Sequence, residues 1–490
     1  MGSGKISKSF AVILILTVAF SSLALSGTRV AFAQQSSGDW PMFQDNPSHT
    51  GVGTGSAVLA SKLLWKSNVT FAVPASAIEN GVAGIDTSWS SPAVVDGVVY
   101  VFSGTTVHTD SGYGGAAWGD VFALNATSGA VIWDYRDDSS YGAIGPSPAV
   151  ADGIVVFGFD LSNIGALNAS DGASLWNYTA AEGRLSSPTV VGGVVYIGLA
   201  VPSASVTLDG AGIVPFNLFA LNVTNGDKIW SYNFTEYSYC YSSPAVVNGV
   251  VYVGSGGAGP DAGGDVYALN ASSGAELWSY PISWTPQYSD SWVDSSPAVV
   301  NGIVYVGCDN GNVYALSATN GKKLWNYTTG GSVDSSPGVA NGIVYVGSGD
   351  GNLYALDAEN GAKLWNFTSG GPIDSSPAIV GGVVYLWQDY IGVLYSLNAY
   401  NGEKLSNYTI YASYFANEPS PAVANGKVYI GSQDGQVYAL SGSTITIIAP
   451  NTLAITIVSI VAVVIVVAAA VMLIFRKRLK TKSTGPAKER

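Results

Sequence analysis

Residues that commonly carry catalysis or bind metals are scarce in this chain of 490 residues. It contains two cysteines and two histidines, and only 11% of its residues are charged. Neither Cys240 and Cys308 nor His49 and His108 are spaced as a zinc site requires. The chain also lacks a nucleophile elbow and a phosphate-binding loop. We therefore predict no catalytic residues and no metal site, with His49 a turn or packing residue and His108 solvated.

Repetition is what the chain has in abundance. The pattern Ala-x-[Asp/Asn/Ser]-x-x-x-Gly-x-x-x-Trp occurs six times intact, and a seventh copy, Ser396–Ser406, lacks both Ala and Trp. A Ser-Pro pair followed by small and apolar residues occurs eight times, and its closest spacing is 40 residues, from Pro297 to Pro337 to Pro377. A period near 40 predicts a repeat architecture. The intact copies are Ala123–Trp133, Ala166–Trp176, Ala220–Trp230, Ala268–Trp278, Ala315–Trp325 and Ala355–Trp365.

Each repeat predicts four short antiparallel strands. In residues 335–367 we expect them at Ser336–Ala340, Ile343–Gly347, Leu353–Leu356 and Lys363–Phe367, joined by Gly-containing turns such as Asn341-Gly342. Four such strands make one blade of a β-propeller. A single blade cannot bury both faces of its sheet, so neighbouring blades must stack, and the Trp supplies a large apolar surface for that stacking.

These residues resemble the tryptophan-docking motif of the PQQ-like, or quinoprotein-type, β-propeller repeat family. The resemblance covers about residues 40–442 and implies an all-β fold with eight four-stranded blades, a number that matches the eight Ser-Pro units. It gives a docking role to Trp65, Trp133, Trp176, Trp230, Trp278, Trp325 and Trp365.

The last unit, Pro421–Leu440, contains three predicted strands and no Trp segment after them. A matching segment occurs early in the chain, at Lys62–Lys66. We expect this segment to be the fourth strand of the last blade, which leaves no large open sheet edge. The alternative is that Thr444–Ile448 supplies that strand.

Both ends of the chain predict a membrane protein of the cell surface. Residues 1–33 are typical of a signal peptide, with Lys5 and Lys8 before an apolar run and a small-x-small site at its end. The propeller is expected over residues 34–442 and a linker over 443–452. Residues 453–475 are apolar and long enough to span a bilayer, and the basic tail 476–490 predicts a cytoplasmic C-terminus.

Charge and glycosylation motifs agree with an external propeller. Residues 34–452 carry 10 Lys and Arg against 32 Asp and Glu, which disfavours binding to nucleic acid. Together with the anchor, the many Asn-x-Ser/Thr sequons indicate a glycoprotein of an archaeal cell surface; alternatively, the repeat merely copies them. The sequons begin at Asn68, Asn125, Asn168, Asn177, Asn222, Asn233, Asn270, Asn326, Asn366 and Asn407.

The order of strands predicts two unequal faces. The first two strands of each blade, and the last two, are joined by short Gly turns that share one face, here called the turn face. Longer connections share the opposite, long-loop face, where binding residues are usually found. These insertions are Ser103–Asp120, Leu199–Asn217, Ser255–Asp265 and Trp387–Gly392 within blades, and Arg136–Gly145, Asn233–Tyr241, Pro281–Asp294 and Thr409–Glu418 between blades.

Aromatic residues in the insertions form the candidate ligand-binding face. With nearby carboxylates they would suit an extracellular protein or glycan; alternatively, the rings cap the core of the propeller itself. The candidate residues are Tyr113, Trp118, Tyr237, Tyr239, Trp284, Tyr288, Trp292, Trp387, Tyr390 and Tyr414.

We therefore expect a non-enzymatic cell-surface binding or scaffold protein without a cofactor. The resemblance also implies an alternative, an oxidoreductase that uses PQQ and calcium. Relatives that bind this cofactor commonly carry an adjacent Cys–Cys pair, whereas Cys240 and Cys308 lie 68 residues apart, with their pairing left open. Asp-Gly segments such as Asp350-Gly351 lack the downstream acid of a calcium loop and are typical of tight turns.

Overall fold

A computed structural model describes thirteen stretches of the chain: residues 39–69, 82–109, 117–137, 146–159, 163–180, 183–200, 217–234, 242–256, 263–282, 291–388, 390–410, 419–432 and 434–447. The predicted signal peptide, the segment 453–475 and the basic tail lie outside them. None of the described residues forms a helix with the length and apolar character needed to cross a membrane.

The described residues form eight antiparallel blades of four strands, and the first and third blades each gain a fifth. In the first seven blades the four strands follow one another in sequence from the inside outwards, whereas the outermost strand of the eighth blade is β2. Before the first blade come β1 (Ala57–Val58), β2 (Lys62–Asn68) and β3 (Val82–Trp89). Blades one to four contain β4 (Ala93–Val95), β5 (Val98–Thr109), β6 (Ala117–Asn125) and β7 (Val131–Asp137); β8 (Ala149–Ala151), β9 (Ile154–Phe159), β10 (Asn163–Asn168) and β11 (Ser174–Thr179); β12 (Arg184–Leu185), β13 (Thr189–Val191), β14 (Val194–Ala200), β15 (Asn217–Asn222) and β16 (Lys228–Asn233); and β17 (Ala245–Val247), β18 (Val250–Gly254), β19 (Asp265–Asn270) and β20 (Glu276–Pro281).

Blades five to eight repeat this arrangement with little variation. Their strands are β21 (Ala298–Val300), β22 (Ile303–Cys308), β23 (Asn312–Ser317) and β24 (Lys323–Thr328); β25 (Gly338–Ala340), β26 (Ile343–Gly347), β27 (Asn352–Asp357) and β28 (Lys363–Thr368); β29 (Ala378–Val380), β30 (Val383–Gln388), β31 (Val393–Asn398) and β32 (Lys404–Thr409); and β33 (Ala422–Ala424), β34 (Lys427–Ser432) and β35 (Gln436–Ser441), followed by β36 (Thr444–Ile445). The all-β, eight-bladed fold expected from the sequence is confirmed.

Burial follows the position of a strand within its blade. The central strands are almost entirely buried because both of their faces pack against neighbouring blades, as in β26. The outer strands alternate instead. In β24, Trp325 is buried while Leu324 and Asn326 on either side are exposed. One face of each outer strand thus completes the core, and the other faces solvent.

The N-terminal strand closes the ring. Strand β2 pairs antiparallel with β35, with Lys62 opposite Ser441 and Asn68 opposite Gln436, so it is the fourth strand of the eighth blade. The prediction for Lys62–Lys66 is confirmed. The alternative is wrong, because Thr444 and Ile445 pair with Val58 and Ala57 rather than with the outer edge of the eighth blade.

A closed ring of serine hydrogen bonds explains the Ser-Pro pattern. In each blade the serine before the proline donates its backbone N–H to the Oγ of the equivalent serine in the next blade, at 2.8–3.1 Å. Since each bond crosses a blade boundary, the ring fixes the innermost strands of all eight blades relative to one another. Its members are Ser91, Ser147, Ser187, Ser243, Ser296, Ser336, Ser376 and Ser420.

The docking tryptophans join neighbouring blades at the outside. All seven donate their indole N–H to a backbone carbonyl in a turn of the following blade, at 2.8–3.2 Å. Trp325 donates to Ala358, for example, and its ring covers Gly361, where an added Cβ would lie 2.6 Å from Cε3. The Gly of the motif thus leaves room for the Trp of the preceding blade. The docking role of all seven tryptophans is confirmed.

The seventh blade, where Ser406 replaces the docking Trp, faces the point of ring closure. The turn that would receive a Trp does not exist in the eighth blade, because its third and fourth strands come from opposite ends of the propeller. Val58 takes its place: it donates its N–H to Tyr385 Oη at 2.9 Å, and Tyr385 donates its O–H back to the carbonyl of Val58 at 2.7 Å. Ala60 N–H donates to Ser396 Oγ nearby.

Candidate functional site

The turn face is uniform around the ring. Six of its eight inner hairpin turns begin with Asp or Asn in the left-handed conformation, at φ values of 51–53°, followed by Gly, and two are Gly-Gly. In seven blades a backbone hydrogen bond ties the inner turn to the docking turn, such as Ala358 N–H to Gly342 O at 2.9 Å. Because these turns are short and hydrogen-bonded to each other, the turn face has nearly the same structure in every blade.

The long-loop face differs among blades. In the first blade the predicted insertion Ser103–Asp120 is partly regular structure, because β5 and β6 extend into it and pair as far as Thr106 and Ala117. Strand β3 adds a fifth strand against β5. The third blade gains β12 at the equivalent edge of β14. Sequence reasoning missed these additions because the insertions carry no repeat motif from which pairing could be inferred.

The candidate aromatic residues fall into three groups. Tyr113, Tyr237, Tyr239, Trp284, Tyr288 and Tyr414 lie outside the described residues. Trp118 belongs to β6 and pairs through its backbone with Thr105, while Trp292 is half-buried before the fifth blade. Tyr390 is 47% exposed next to Ile391, which is 46% exposed. The described part of the face therefore offers one prominent apolar pair, Tyr390 and Ile391, between β30 and β31.

Trp387 requires a correction. Its side chain is 2% exposed and lies in the core cluster at the junction of the first, seventh and eighth blades, so the prediction of a ligand-binding ring is wrong for this residue. The reason is its place in β30, whose two faces are both covered by neighbouring blades. The alternative that rings from this region pack into the propeller holds for Trp387.

The segment before the first blade, residues 40–53, is the leader, and it threads along the innermost strands. Its carbonyl groups accept N–H bonds at 2.6–2.9 Å from six blades. These pairs are Trp40 with Val94, Pro41 with Val150, Pro47 with Val246, Ser48 with Val299, Thr50 with Val339 and Gly51 with Ile379. A seventh blade is reached through His49 Nε2, 2.9 Å from Thr189 Oγ1. Because seven blades converge on this segment, it occupies the axis of the propeller.

The leader carries the most strongly perturbed titratable groups near the axis. Burial raises the pKa of Asp45 to about 8, and nearby Asp39 acts in the same direction. Burial lowers the pKa of His49 to about 3, so its imidazole is neutral. His49 is 1% exposed, with its ring edge-on to Phe43 at 5.8 Å. The expectation of a packing role for His49 is thus confirmed, although nothing in the sequence indicated the axial position.

The described residues offer no acidic cluster for the calcium ion of a quinoprotein site. In the described stretches, no group of three or more His, Cys, Asp and Glu side chains is arranged to hold a metal ion. Cys308 is a free, fully buried thiol whose pKa is raised by burial, and Cys240 lies outside the described residues. The leader fills the axis. Asp350 caps its own turn by accepting from Asn352 N–H at 2.9 Å and from Gly330 N–H at 2.8 Å.

The sequon asparagines divide between two surfaces. Asn125, Asn168, Asn222 and Asn270 begin docking turns on the turn face, where each side chain accepts a backbone N–H from two residues further along. The other six lie on outer strands, and all ten side chains are exposed or half-buried. Glycosylation at these positions stays a prediction.

A family model described as outer membrane protein assembly factor BamB, of PQQ-like repeats, matches residues 117–307 and 262–444, together more than half of the chain. The chain belongs to this PQQ-like β-propeller family. Among curated protein sequences, none matches it.

Solved structures of family members and other propellers resemble the chain in fold. BamB from Moraxella catarrhalis is 19% identical with a TM-score of 0.53, covering 74% of this chain and 99% of that protein. Quinohemoprotein alcohol dehydrogenase from Comamonas testosteroni is 15% identical with a TM-score of 0.59, covering 84% and 82%. The computationally designed Ika8 protein is 15% identical with a TM-score of 0.55, covering 74% and 98%. At such identities the likeness concerns the fold alone.

Proposed function

We propose that this family member is a non-enzymatic binding or scaffold propeller that engages an extracellular protein, a glycan or an envelope component through its long-loop face. The observation that carries the proposal is the occupation of the axis by the chain itself. The leader bonds to the inner strands of seven blades, and the turn face consists of short, uniform turns. Surface that varies, and can therefore specify a partner, is concentrated on the long-loop face.

The path of the chain after the last blade supports an orientation. Residues 442–447 run along the turn face, where a Cβ added to Gly382 would lie 3.0 Å from Ile447 Cβ. If residues 453–475 anchor the protein, as their length and apolar composition suggest, the turn face lies towards the membrane. The long-loop face then points away from the cell, and the acidic propeller lies outside. A signal peptide over residues 1–33 and an archaeal host belong to the same proposal.

The resemblance to BamB, an assembly factor by its name, fits the scaffold class, and the resemblance to the alcohol dehydrogenase fits the oxidoreductase class. Two observations favour the scaffold class: the described residues contain no cluster of His, Cys, Asp and Glu for a metal ion, and the leader occupies the axis. Titration of the full chain, in detergent, with PQQ and calcium separates the two classes. We expect no saturable change in quinone absorbance or melting temperature. A saturable change in both would replace this proposal with the PQQ-dependent oxidoreductase.

Partner capture tests the binding face directly. The full chain is immobilised and exposed to glycan arrays and to envelope extracts of its host, alongside a variant in which Trp284, Tyr288 and Trp292 are all changed to Ala. A second variant changes Leu175, Leu277 and Leu324 to Ala; these side chains are 46–51% exposed on the outer rim and serve as the matched control. We expect capture to fall at least about tenfold in the first variant only, as for anchor residues of an interface.

Two results would contradict this assignment. Equal capture by a folded first variant would exclude that loop, and loss of capture in the rim variant would move the interface to the outer strands. Circular dichroism and the melting temperature establish that each variant is folded.

A further inference from the structure

Charge is distributed unevenly between the turn face and the rest of the propeller. The turn face consists of the inner hairpin turns and the docking turns, each with the first residue of the strand that follows, and of the closing segments 54–62 and 442–447, all of them described. Of the 10 Lys and Arg and 32 Asp and Glu in residues 34–452, 7 and 8 lie there, which leaves 3 and 24 elsewhere. The turn face is therefore almost neutral, whereas the remainder is strongly acidic.

The charges of the turn face are divided between two halves of the ring. Blades one to four, the acidic half, carry five acids and one lysine: Asp96, Asp152, Asp171, Asp227, Glu276 and Lys228. Blades five to eight, the basic half, carry six lysines and three acids: Lys62, Lys322, Lys323, Lys363, Lys404, Lys427, Asp357, Glu359 and Glu403. Serine bonds link blades five to eight in succession, so these lysines occupy one continuous half of the ring.

The lysines of the basic half are available for contact. Five of the six are exposed, and the sixth, Lys427, is half-buried and donates from Nζ to the carbonyl of Ala126 at 3.0 Å. Within the described residues none of the six forms an ion pair with a carboxylate, unlike Arg136 with Asp120. Asp357 uses Oδ1 to accept the backbone N–H of Glu359 in its own turn. The positive charges are therefore open to an anionic surface.

The sequons divide the turn face in the same way. The four that begin docking turns all belong to blades one to four. The equivalent positions in blades five to seven are Ser317, Asp357 and Asn398, none of which begins a sequon, and the eighth blade has no docking turn. A glycan is bulky and well solvated. Occupied sequons would therefore keep the acidic half of the turn face away from a surface and leave the basic half bare.

The last described stretch of the chain reaches the basic half. Ile447 lies beside the inner turn of the seventh blade, where a Cβ added to Gly382 would be 3.0 Å from Ile447 Cβ. Residues 448–452 separate it from the apolar segment 453–475. Five residues span at most about 18 Å. An anchor over 453–475 would therefore hold the seventh blade close to the bilayer surface.

We propose that the basic half of the turn face binds the anionic headgroups of the membrane in which the chain is anchored. This contact rests on the proposed function, in whose orientation the turn face lies towards the membrane. Lysines clustered next to a membrane anchor are attracted by the negative potential of a bilayer, and the attraction falls off within a Debye length. The contact requires acidic lipids in the leaflet that faces the propeller.

The remaining charges orient the propeller on the same surface. Outside the turn face, 24 Asp and Glu against 3 Lys and Arg are repelled by acidic lipids. The propeller is therefore attracted at one half of one face and repelled elsewhere. This holds the long-loop face away from the bilayer, where a partner can reach it, whereas the short tether alone would fix only the distance.

Acetylation of lysines in nanodiscs tests the contact. The full chain is incorporated into discs of phosphatidylcholine alone or with about 30% phosphatidylglycerol. An N-hydroxysuccinimide ester labels the lysines, and mass spectrometry gives the rate at each. With phosphatidylglycerol we expect labelling of Lys323, Lys363 and Lys404 to slow at least about fivefold, and about 0.5 M salt to reverse the effect. Lys228, exposed on the acidic half, is the internal control and should change less than about twofold.

A charge variant tests whether the lysines act together. Lys323, Lys363 and Lys404 are changed together to Gln, and labelling of Lys62 reports on the contact that remains. The slower labelling of Lys62 in discs with phosphatidylglycerol should be lost in this variant and retained in the matched control, Lys228→Gln. All the substituted side chains are exposed, so both variants are expected to fold.

Two outcomes with wild-type protein would overturn the contact even if a variant failed to fold. One is labelling of the basic half that does not depend on lipid charge, and the other is an equal change at Lys228. A chain that does not enter the discs would instead contradict the anchored orientation, and this contact with it. Partner capture in detergent tests the long-loop face independently of lipid, so failure of the proposed function is distinguishable from failure of this contact.

Discussion

Ser420 donates its backbone N–H to Ser91 Oγ at 2.9 Å, although the two serines are 329 positions apart in the chain. The bond joins the eighth blade to the first and is equivalent to the seven bonds that join successive blades. The inner ring therefore closes without a special connection, while the outer ring closes through β2 on β35. Two independent closures, one at each radius, hold the ends of the propeller together.

Replacing Ser91 by Ala should reduce the free energy of unfolding by about 1–3 kcal/mol, because the buried N–H of Ser420 loses its acceptor. Urea unfolding of the full chain in detergent measures the change. The matched control is Ser231→Ala on the exposed side of β16, which should lie within about 0.5 kcal/mol of wild type. Equal effects at the two positions would show that the serine ring does not support closure.

The serine pattern was visible in the sequence, but the hydrogen bonds that the serines form between blades were not predicted. Eight Ser-Pro pairs, separated by 40 to 56 residues, indicated the number of blades, because repeats leave a recurrent signal. The hydrogen bonds run between residues of different blades, and their geometry depends on how the blades are arranged around the ring. The same distinction applies to β2, whose pairing was inferred from a missing Trp segment, whereas the pairing of β1 with β36 left no motif to recognise.

Gly361 and Gly342 form a matched pair for testing the docking contact. Both have a left-handed backbone, with φ of 73° and 77°, but a Cβ at Gly361 would meet Trp325 at 2.6 Å, whereas at Gly342 nothing lies within 4 Å. Gly342→Ala should cost about 1–2 kcal/mol from the backbone alone. Gly361→Ala should cost about 1–3 kcal/mol more because the indole must move. Thermal and urea unfolding measure both, and equal losses would contradict the steric role of the motif glycine.

Ser406→Trp should not stabilise the seventh blade, although it restores the repeat motif. The eighth blade has no docking turn whose Gly would leave room for the indole, and Val58 lies in place of that turn, held by two hydrogen bonds with Tyr385. We expect a loss of about 1–3 kcal/mol from overpacking. The reciprocal change, Trp365→Ser in the sixth blade, should cost about 3–5 kcal/mol because removal of the large indole ring leaves a cavity between blades. A gain in melting temperature for Ser406→Trp would show that the junction is underpacked.

Alkaline unfolding should report on the tyrosines at blade junctions. Tyr305 donates its O–H to the carbonyl of Ala358 at 3.0 Å, and burial, with a smaller effect of Asp357, raises its pKa to about 12. The folded state therefore favours the neutral phenol. This contribution is fully present below the unfolded pKa of about 10 and is lost as the pH rises through about 12.

Tyr305→Phe should accordingly be less stable than wild type by about 1 kcal/mol at pH 8, where it lacks one hydrogen bond. The difference should shrink above pH 10 and reverse as the pH approaches 12, because only the wild-type residue must then be deprotonated on unfolding. Urea unfolding at pH 8, 10 and 11 measures the trend. A difference that stays constant over this range would contradict the assigned cause.

The candidate site was less predictable than the fold. Aromatic residues in Trp387–Gly392 were all expected on the binding face, because sequence cannot tell where β30 ends and the loop begins. The leader could not be placed from the sequence either. Its buried residues carry no periodic pattern, and their position on the axis depends on contacts with seven blades. Local motifs therefore established the blades, while contacts across the ring determined which side chains are accessible.

Variants at Trp387 and Tyr390, three positions apart, should distinguish an effect on stability from an effect on binding. Trp387→Ala should lower the free energy of unfolding by about 3–5 kcal/mol, since it removes a ring that is 2% exposed in the core. Tyr390→Ala removes a ring that is 47% exposed and should change stability by no more than about 0.5 kcal/mol. If the long-loop face binds a partner near the seventh blade, Tyr390→Ala should weaken capture by folded protein. Unchanged capture together with unchanged stability would place the contact elsewhere on that face, because Tyr390 and Ile391 are the prominent exposed apolar pair between β30 and β31.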